Sequence, residues 1–186
     1  MKFYKLSTLI LLFALLSACG QDAAQQSSDH PFKIKGIFGL SLNDKGQDLT
    51  EGYIIENKAF DFIPATSHPH LIEYTFSVTP NTHLIYGIKA KGNLGLPKET
   101  CQQQRQELIQ QTLTMLGTDK TQLKVIDEGN KWKIREANQR EIIIDCEQSI
   151  NMGSLQLVVT YQDTSLSLLA YKEWKKRQSD LTKFRP

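Results

Sequence analysis

The chain has 186 residues, of which 22 are Lys or Arg and 20 are Asp or Glu, so its formal net charge is +2. This near balance argues against a nucleic-acid partner, because phosphate backbones are bound by an excess of basic side chains. The length suits one ordinary domain that can bury a core without oligomerising.

The first 18 residues have the organisation of a secretory signal peptide. Lys2 and Lys5 form a short positive segment, and an uninterrupted run of apolar and small residues follows at 6–16. Eleven such residues are too few for a transmembrane helix, which needs about 20, but they suit the apolar region of a signal. The alternative is an ordinary cleaved signal that is followed by a cysteine by chance.

The run Leu16-Ser17-Ala18-Cys19 resembles the lipobox of bacterial lipoprotein precursors, in which an aliphatic residue and two small residues precede a cysteine. The resemblance covers residues 1–19. It implies that Cys19 receives a diacylglycerol, becomes the first mature residue and is acylated on its amino group, with palmitate as a typical chain. Several acyl chains would make the membrane anchor effectively permanent, because each buried CH₂ contributes about 0.8 kcal/mol.

The residue after the cysteine bears on location. In the enterobacterial sorting pattern an aspartate there retains lipoproteins in the inner membrane, and this chain has Gly20. The resemblance therefore implies the outer membrane rather than the inner one, with the mature chain facing the periplasm or the cell surface. Residues 20–31 contain almost no large apolar side chain, so the segment 19–31 is predicted to be a lipidated cysteine with a flexible tether that spans roughly 20 Å.

Cleavage before Cys19 changes the charge count. It leaves 168 residues and removes Lys2 and Lys5 but no acidic residue, so the mature chain has 20 basic and 20 acidic side chains. The isoelectric point of about 8.4 belongs to the precursor. An exported, electrically balanced chain is a poor candidate for a nucleic-acid role.

The mature sequence begins with short strand patterns. Residues 32–42 predict a strand that is broken near Gly36 and Gly39, and 53–55 predict a further short strand in an irregular stretch. Polar and apolar residues then alternate on either side of a turn composition at 79–83, which predicts a β-hairpin over 72–91. The apolar positions of this alternation are Tyr74, Phe76, Val78, Leu84, Tyr86, Ile88 and Ala90.

His68-Pro69-His70 precedes this hairpin. Two imidazoles two residues apart on an extended chain point the same way and could begin a copper, nickel or zinc site. Only His30 and His83 remain as further histidines, and neither a cysteine nor an acidic cluster is close in sequence. We therefore expect an ordinary loop with no metal and no cofactor, and keep His68 and His70 as weak candidates.

One amphipathic helix is predicted, from Pro97-Lys98 to Leu116, with Gly117 as its C-terminal cap. At 100° per residue, one side holds all of its large apolar side chains. Members of this side are Cys101, Arg105, Leu108, Ile109, Thr112, Leu113, Met115 and Leu116.

The second half of the chain predicts further strands. A hairpin is expected over 123–135, with its turn at 127–130, followed by strands at 142–146 and 155–161. Alternation places Ile142, Ile144 and Cys146 on the inward face. Because Cys101 and Cys146 both face the core and the periplasm is oxidising, we expect a disulfide between them rather than two free thiols.

Glu141, Asp145 and Glu147 fall on the outward face of the same strand. Paired acids could serve glycoside hydrolysis, but a solvated sheet face explains them more simply. No G-x-S-x-G or S-x-x-K motif occurs in the sequence, and no catalytic residue is assigned.

The chain ends in a basic segment. Residues 172–186 carry a net charge of +4, which leaves the rest of the mature chain correspondingly acidic. The segment could contact anionic lipid, lipopolysaccharide or an acidic partner, although a frayed, solvated tail is the simpler expectation. The side chains concerned are Lys172, Lys175, Lys176, Arg177, Lys183 and Arg185.

These patterns together predict a single α+β domain, an antiparallel sheet of hairpins with one main helix on a face. The expected segments are a signal at 1–18, the tether at 19–31, the domain at 32–174 and a basic tail at 175–186. The domain is expected to end in a short strand or the start of a helix at 166–174. The expected function is a non-enzymatic, protein-binding envelope lipoprotein of the assembly, secretion-accessory or inhibitor type. The alternatives are an envelope hydrolase or cell-wall-binding enzyme that uses Glu141, Asp145 or His68, and a lipoprotein that binds a metal or small ligand.

Overall fold

The computed structural model describes residues 32–46, 59–117, 121–129, 131–148 and 154–183. The predicted signal, Cys19, the tether and the short strand at 53–55 lie outside these residues, as does Arg185. Lys183 lies at the end of a described helix, but its side chain is not described.

The described residues form an α+β fold, as the sequence predicts. Two short strands, β1 and β2, pair with each other, and the other seven form one antiparallel sheet in the order β3-β4-β5-β9-β8-β7-β6. In chain order the elements are β1 Gly36–Ile37, β2 Leu40–Ser41, β3 Ala59–Asp61, β4 Glu73–Val78, β5 Ile85–Lys91, α1 Lys98–Leu116, β6 Leu123–Asp127, β7 Lys131–Glu136, β8 Arg140–Gln148, β9 Leu155–Asp163 and α2 Thr164–Lys183.

Helix α1 packs on one face of the sheet, against β8 and β9. Its predicted inward stripe is buried along its centre, and Gly117 ends it at φ 79°. The two edges of the stripe behave differently, because Leu113 packs partly buried against the core whereas Met115 is 55% exposed. The prediction that Met115 faces inward is therefore wrong.

The first hairpin forms as predicted, but a β-bulge changes its inward face. Ser77 pairs with Gly87 and Val78 pairs with Ile85, so Tyr86 is an extra residue in β5. The bulge brings Ile85 inward together with Ile88, and both are 1% exposed. Leu84 and Tyr86, apolar positions of the same alternation, are only half-buried.

The C-terminal prediction needs correction. Residues 164–183 form one continuous helix, so the expected boundary between domain and tail at 174 falls inside α2. Asp163 begins it, since its Oδ1 accepts hydrogen bonds from the backbone N–H groups of Ser165 and Leu166. Helix α2 contacts β5 and β9. Val158 of β9 points away from α1 by strand alternation and is still 1% exposed, which indicates that α2 covers part of the second face of the sheet.

Candidate functional site

An open groove of about 760 Å³ lies at the edge of the sheet next to β3. It is lined by residues 61–64, Ser67 and residues 71–74, and we call it the β3 groove. Its floor includes Phe62 and Tyr74, whose rings meet edge to face at 6.0 Å between centroids. On its rim Ile63 is 95% exposed and Ile72 is 58% exposed. The groove therefore leaves two large apolar side chains open to water, next to the exposed carboxylates of Asp61 and Glu73.

The loop that carries these residues, 62–72, is fixed at both ends by backbone hydrogen bonds. At its start the N–H of Phe62 donates to Tyr74 and the N–H of Ala65 donates to Phe38. At its end the N–H of Ile72 donates to the carbonyl oxygen of Lys91. Ile63 is therefore presented by an ordered backbone, and its exposure does not come from a loose loop.

His68 and His70 hold the middle of the same loop against α1. Nε2 of His68 lies 2.9 Å from Oε1 of Gln111, and Nε2 of His70 lies 2.8 Å from Oε2 of Glu107. Glu107 and Gln111 are four residues apart and so occupy one face of the helix. We call these two contacts, which attach the loop to the helix, the histidine latch.

The electrostatics of this latch favour an uncharged His68. Burial lowers its pKa, and the neighbouring His70 lowers it further, against the opposing effects of Gln111 and Glu107. The His70 contact lowers the pKa of Glu107. Within the described residues no cluster of three or more His, Cys, Asp or Glu side chains is arranged to hold a metal ion.

The three carboxylates of β8 do not form one solvated row. Glu141 is only 5% exposed, because it accepts hydrogen bonds from Nε of Arg135 at 2.9 Å and from the side-chain amide of Gln162. The expectation of a solvated face is wrong for this residue, since its two neighbouring strands supply partners on the same face, a cation from β7 and an amide from β9.

Asp145 and Glu147 border a second cavity, of about 630 Å³, whose lining also includes Lys98, Glu128 and Lys131. Burial raises the pKa of Asp145, against the opposing effect of Lys131, whose Nζ lies 3.9 Å from its carboxylate. Glu147 is exposed and lies 3.6 Å from Nζ of Lys89. Each of these carboxylates therefore has its own lysine partner.

The structure joins Cys101 of α1 to Cys146 of β8 by a disulfide, with their Cα atoms 6.1 Å apart. The two residues are 0% and 4% exposed. The bond ties the helix to a central strand, and neither sulphur is a free nucleophile.

A buried ionic network, which sequence reasoning missed, lies where the described chain begins. Glu136 accepts hydrogen bonds from the backbone N–H groups of Lys33 and Ile34, both at 2.8 Å. Arg140 donates to Asp163 at 3.2 Å and to the carbonyl oxygen of Ile34 at 2.8 Å. A charged residue inside a strand pattern is the only sequence signal, and it does not reveal a partner more than 100 residues away.

The basic residues near the C-terminus have different surroundings on α2. Lys172, Lys175 and Lys176 are exposed. Arg177 instead points to the turn between β4 and β5, where it donates to the carbonyl oxygen of Pro80 at 2.6 Å and to the side chain of Asn81 at 2.8 Å. Neither α1 nor α2, the two described helices, is sufficiently long and apolar to span a bilayer.

Comparisons with protein-family models, with curated proteins and with solved structures find no match to this chain.

Proposed function

We propose that this protein is a lipid-anchored envelope lipoprotein whose folded domain binds a protein partner through the β3 groove. One observation carries the proposal, namely that Ile63 is 95% exposed on a loop with ordered ends. Ile72, 58% exposed, lines the same groove, and exposed apolar side chains grouped on an ordered loop are typical of an interaction surface. Pre-ordering also lowers the entropy lost on binding.

The groove favours an extended apolar segment of the partner that carries a basic residue. Its apolar rim and floor match aliphatic or aromatic side chains, and Asp61 adds an exposed carboxylate. Glu73 adds a second, although it already lies 3.3 Å from Nζ of Lys91. Asp61 is thus the acidic group that we expect to contact the partner's basic residue.

Crosslinking in intact cells tests the groove. A photoreactive amino acid in place of Ile63 is expected to capture one partner, and a second change, Ile72→Asp, is expected to abolish this capture. The matched control is Val125→Asp on β6, the opposite edge strand, where Val125 is 45% exposed. If Ile72→Asp and Val125→Asp have the same effect, or if only lipid-proximal neighbours are captured, the groove is not the binding surface.

Fractionation tests the anchor separately. The unchanged protein is expected with the outer membrane, because the acyl chains supply the attachment. The change Cys19→Ala is expected to prevent acylation and leave the apolar signal uncleaved, so that the chain disappears from the outer-membrane fraction. Cys19→Ala found in the outer membrane at the original level would contradict the lipoprotein assignment and leave the crosslinking result intact.

The cavity beside Asp145 carries a second candidate function, a cell-wall hydrolase. The observation in its favour is that Asp145 and Glu147 line one cavity, where burial raises the pKa of Asp145, the direction of shift that a general acid needs. The hydrolase predicts that Asp145→Asn removes cell-wall degradation while partner capture through Ile63 persists. Purified protein without any such degradation would remove this candidate.

A further inference from the structure

Helix α2 has an exposed face that combines lysines with apolar side chains. Leu168 and Tyr171 are 55% and 54% exposed, and Lys172, Lys175 and Lys176 are exposed as well. At 100° per residue, positions 168, 171, 172 and 175 follow one side of the helix, with 176 next to them. We call these five residues the basic face of α2. Its three lysines have no ion-pair partner among the side chains that the structure describes.

The opposite side of α2 fixes the direction of this face. Ala170 is 2% exposed, Glu173 accepts a hydrogen bond from the backbone N–H of Asn81 at 2.7 Å, and Arg177 donates to Pro80. The acidic Glu173 is thus occupied on the sheet side, and Asp180 has an interaction of its own. The helix cannot rotate its lysines towards the sheet without breaking these contacts.

The start of α2 is close to the point where the proposed tether joins the domain. The guanidinium of Arg140 lies 4.4 Å from the centre of the Phe32 ring, and Arg140 also donates to Asp163, which caps α2. A tether of a dozen residues spans roughly 20 Å. Lys172 lies about 12 Å along the helix from Thr164, at 1.5 Å per residue. A tether of this length, acylated at Cys19 as proposed, would allow the start of α2 to approach the bilayer.

We propose that the basic face of α2 docks on the anionic phospholipid surface of the membrane. The lysines supply cations for phosphate headgroups, and Tyr171 and Leu168 are side chains that enter the interfacial region. The docking presents the domain in one orientation, since it adds a second contact to the flexible attachment at the N-terminus. This inference rests on the proposed lipid anchor for its membrane, but the contact itself does not require acyl chains.

Vesicle binding tests the contact without the anchor. The whole chain carrying Cys19→Ala is mixed with phosphatidylglycerol vesicles or with phosphatidylcholine vesicles, and the ratio of the two affinities is measured. The signal, with Lys2 and Lys5, also favours the anionic lipid. It is identical in the parent chain and in every variant, so a change in the ratio between them reports the basic face. Each lysine near an anionic surface contributes about fivefold, so the triple change Lys172→Gln, Lys175→Gln and Lys176→Gln is expected to lower the ratio on the order of 100-fold.

The matched control changes three other exposed lysines, Lys45, Lys98 and Lys124, to glutamine. It alters the net charge equally and is expected to change the ratio much less. Thermal unfolding checks that both variants remain folded. Preference for phosphatidylglycerol should also fall as salt shortens the Debye length from about 30 Å at 0.01 M to about 10 Å at 0.1 M.

Two results would overturn the inference. Equal losses in the triple variant and its control would assign the effect to net charge. Equal binding to both lipids, together with capture of an acidic protein by a photoreactive residue at position 171 in cells, would assign the face to a protein. Failure of the anchor does not change the vesicle measurement, because that experiment contains no acylated protein.

Discussion

Buried ionic side chains hold the first described residues onto the sheet. Asp163 and Glu136 are each 1% exposed, and Arg140 is 8% exposed. Removal of one partner from a buried pair leaves the other charge uncompensated, which costs more than the pair contributes. Single substitutions in this network can therefore measure how much each buried charge contributes to the stability of the fold.

The change Asp163→Asn is expected to lower the free energy of unfolding by about 3–5 kcal/mol, because it leaves the Arg140 guanidinium buried without a counter-ion. Asparagine still accepts the capping hydrogen bonds of α2, so the loss reports the charge pair. Denaturant unfolding measures it. The control is Glu73→Gln in the exposed pair with Lys91, for which about 0–1 kcal/mol is expected. Similar losses in both variants would show that the buried pair has no special role.

Acidification is expected to weaken the latch at His68. Because burial lowers the pKa of His68 in the folded chain, the unfolded chain binds its proton more readily. The contribution to stability is complete above the ordinary pKa of about 6.5 and is lost as the pH falls through the lowered value. Unfolding measurements between pH 7 and pH 5 should show a loss in the unchanged protein that His68→Gln reduces. Identical pH dependence of the two proteins would contradict the shift.

At the scale of elements, the disulfide joins α1 and β8 across 45 residues of sequence. The double change Cys101→Ala and Cys146→Ala is expected to lower the free energy of unfolding by about 4 kcal/mol, since the bond restricts the unfolded chain. Reductant should add two hydrogens to the mass of the unchanged domain and destabilise it, and should have no effect on the double variant. Unchanged mass after complete reduction would mean that no bond had formed.

The hydrogen bonds of Arg177 attach the C-terminal part of α2 to the sheet, so their removal tests whether these residues form a packed helix or a free tail. The change Arg177→Ala removes two charged hydrogen bonds to the turn between β4 and β5, and about 1–2 kcal/mol of stability is expected to be lost. The neighbouring Lys176→Ala serves as control, with an expected change within about 0.5 kcal/mol. Denaturant unfolding compares them. No difference between the two variants would favour a tail.

The elements differ in how well the sequence predicts them. Helix α1 is predicted to within a residue because its apolar stripe, Pro97 and Gly117 are all local signals. Residues 166–174 are predicted only as a short strand or the start of a helix. The continuation of α2 to Lys183 is missed because its last turns are polar and are held by contacts with Pro80 and Asn81. The bulge at Tyr86 is missed for a similar reason, since register depends on both strands.

At the scale of the whole molecule, cleavage before Cys19 is expected to shift the isoelectric point. The precursor has a sequence isoelectric point of about 8.4, and loss of Lys2 and Lys5 leaves equal numbers of basic and acidic side chains. Isoelectric focusing of protein extracted from membranes should therefore give a value near neutrality. A mature form that still focuses with the precursor would contradict cleavage at this site.

The candidate functional residues also differ in whether a local sequence pattern identifies them. The sequence singles out the lysines of α2 and the two histidines, whose charge and spacing are visible in the chain. It does not single out Ile63 and Ile72, because an isoleucine in an irregular stretch looks like any core residue. Their exposure depends on Phe38, Lys91 and α1, which fix the loop from three directions.

The sequence by itself determined the fold class, the position of α1, most strands and the pairing of Cys101 with Cys146, because hydrophobic periodicity and end signals act over a few residues. It also carries the prediction of the lipid anchor at Cys19. The tertiary structure decided which charged groups are buried, that Glu141 is enclosed, that α2 continues to Lys183 and that the β3 groove remains open. Those outcomes depend on side chains that are distant in sequence, and no local pattern records which of them will meet.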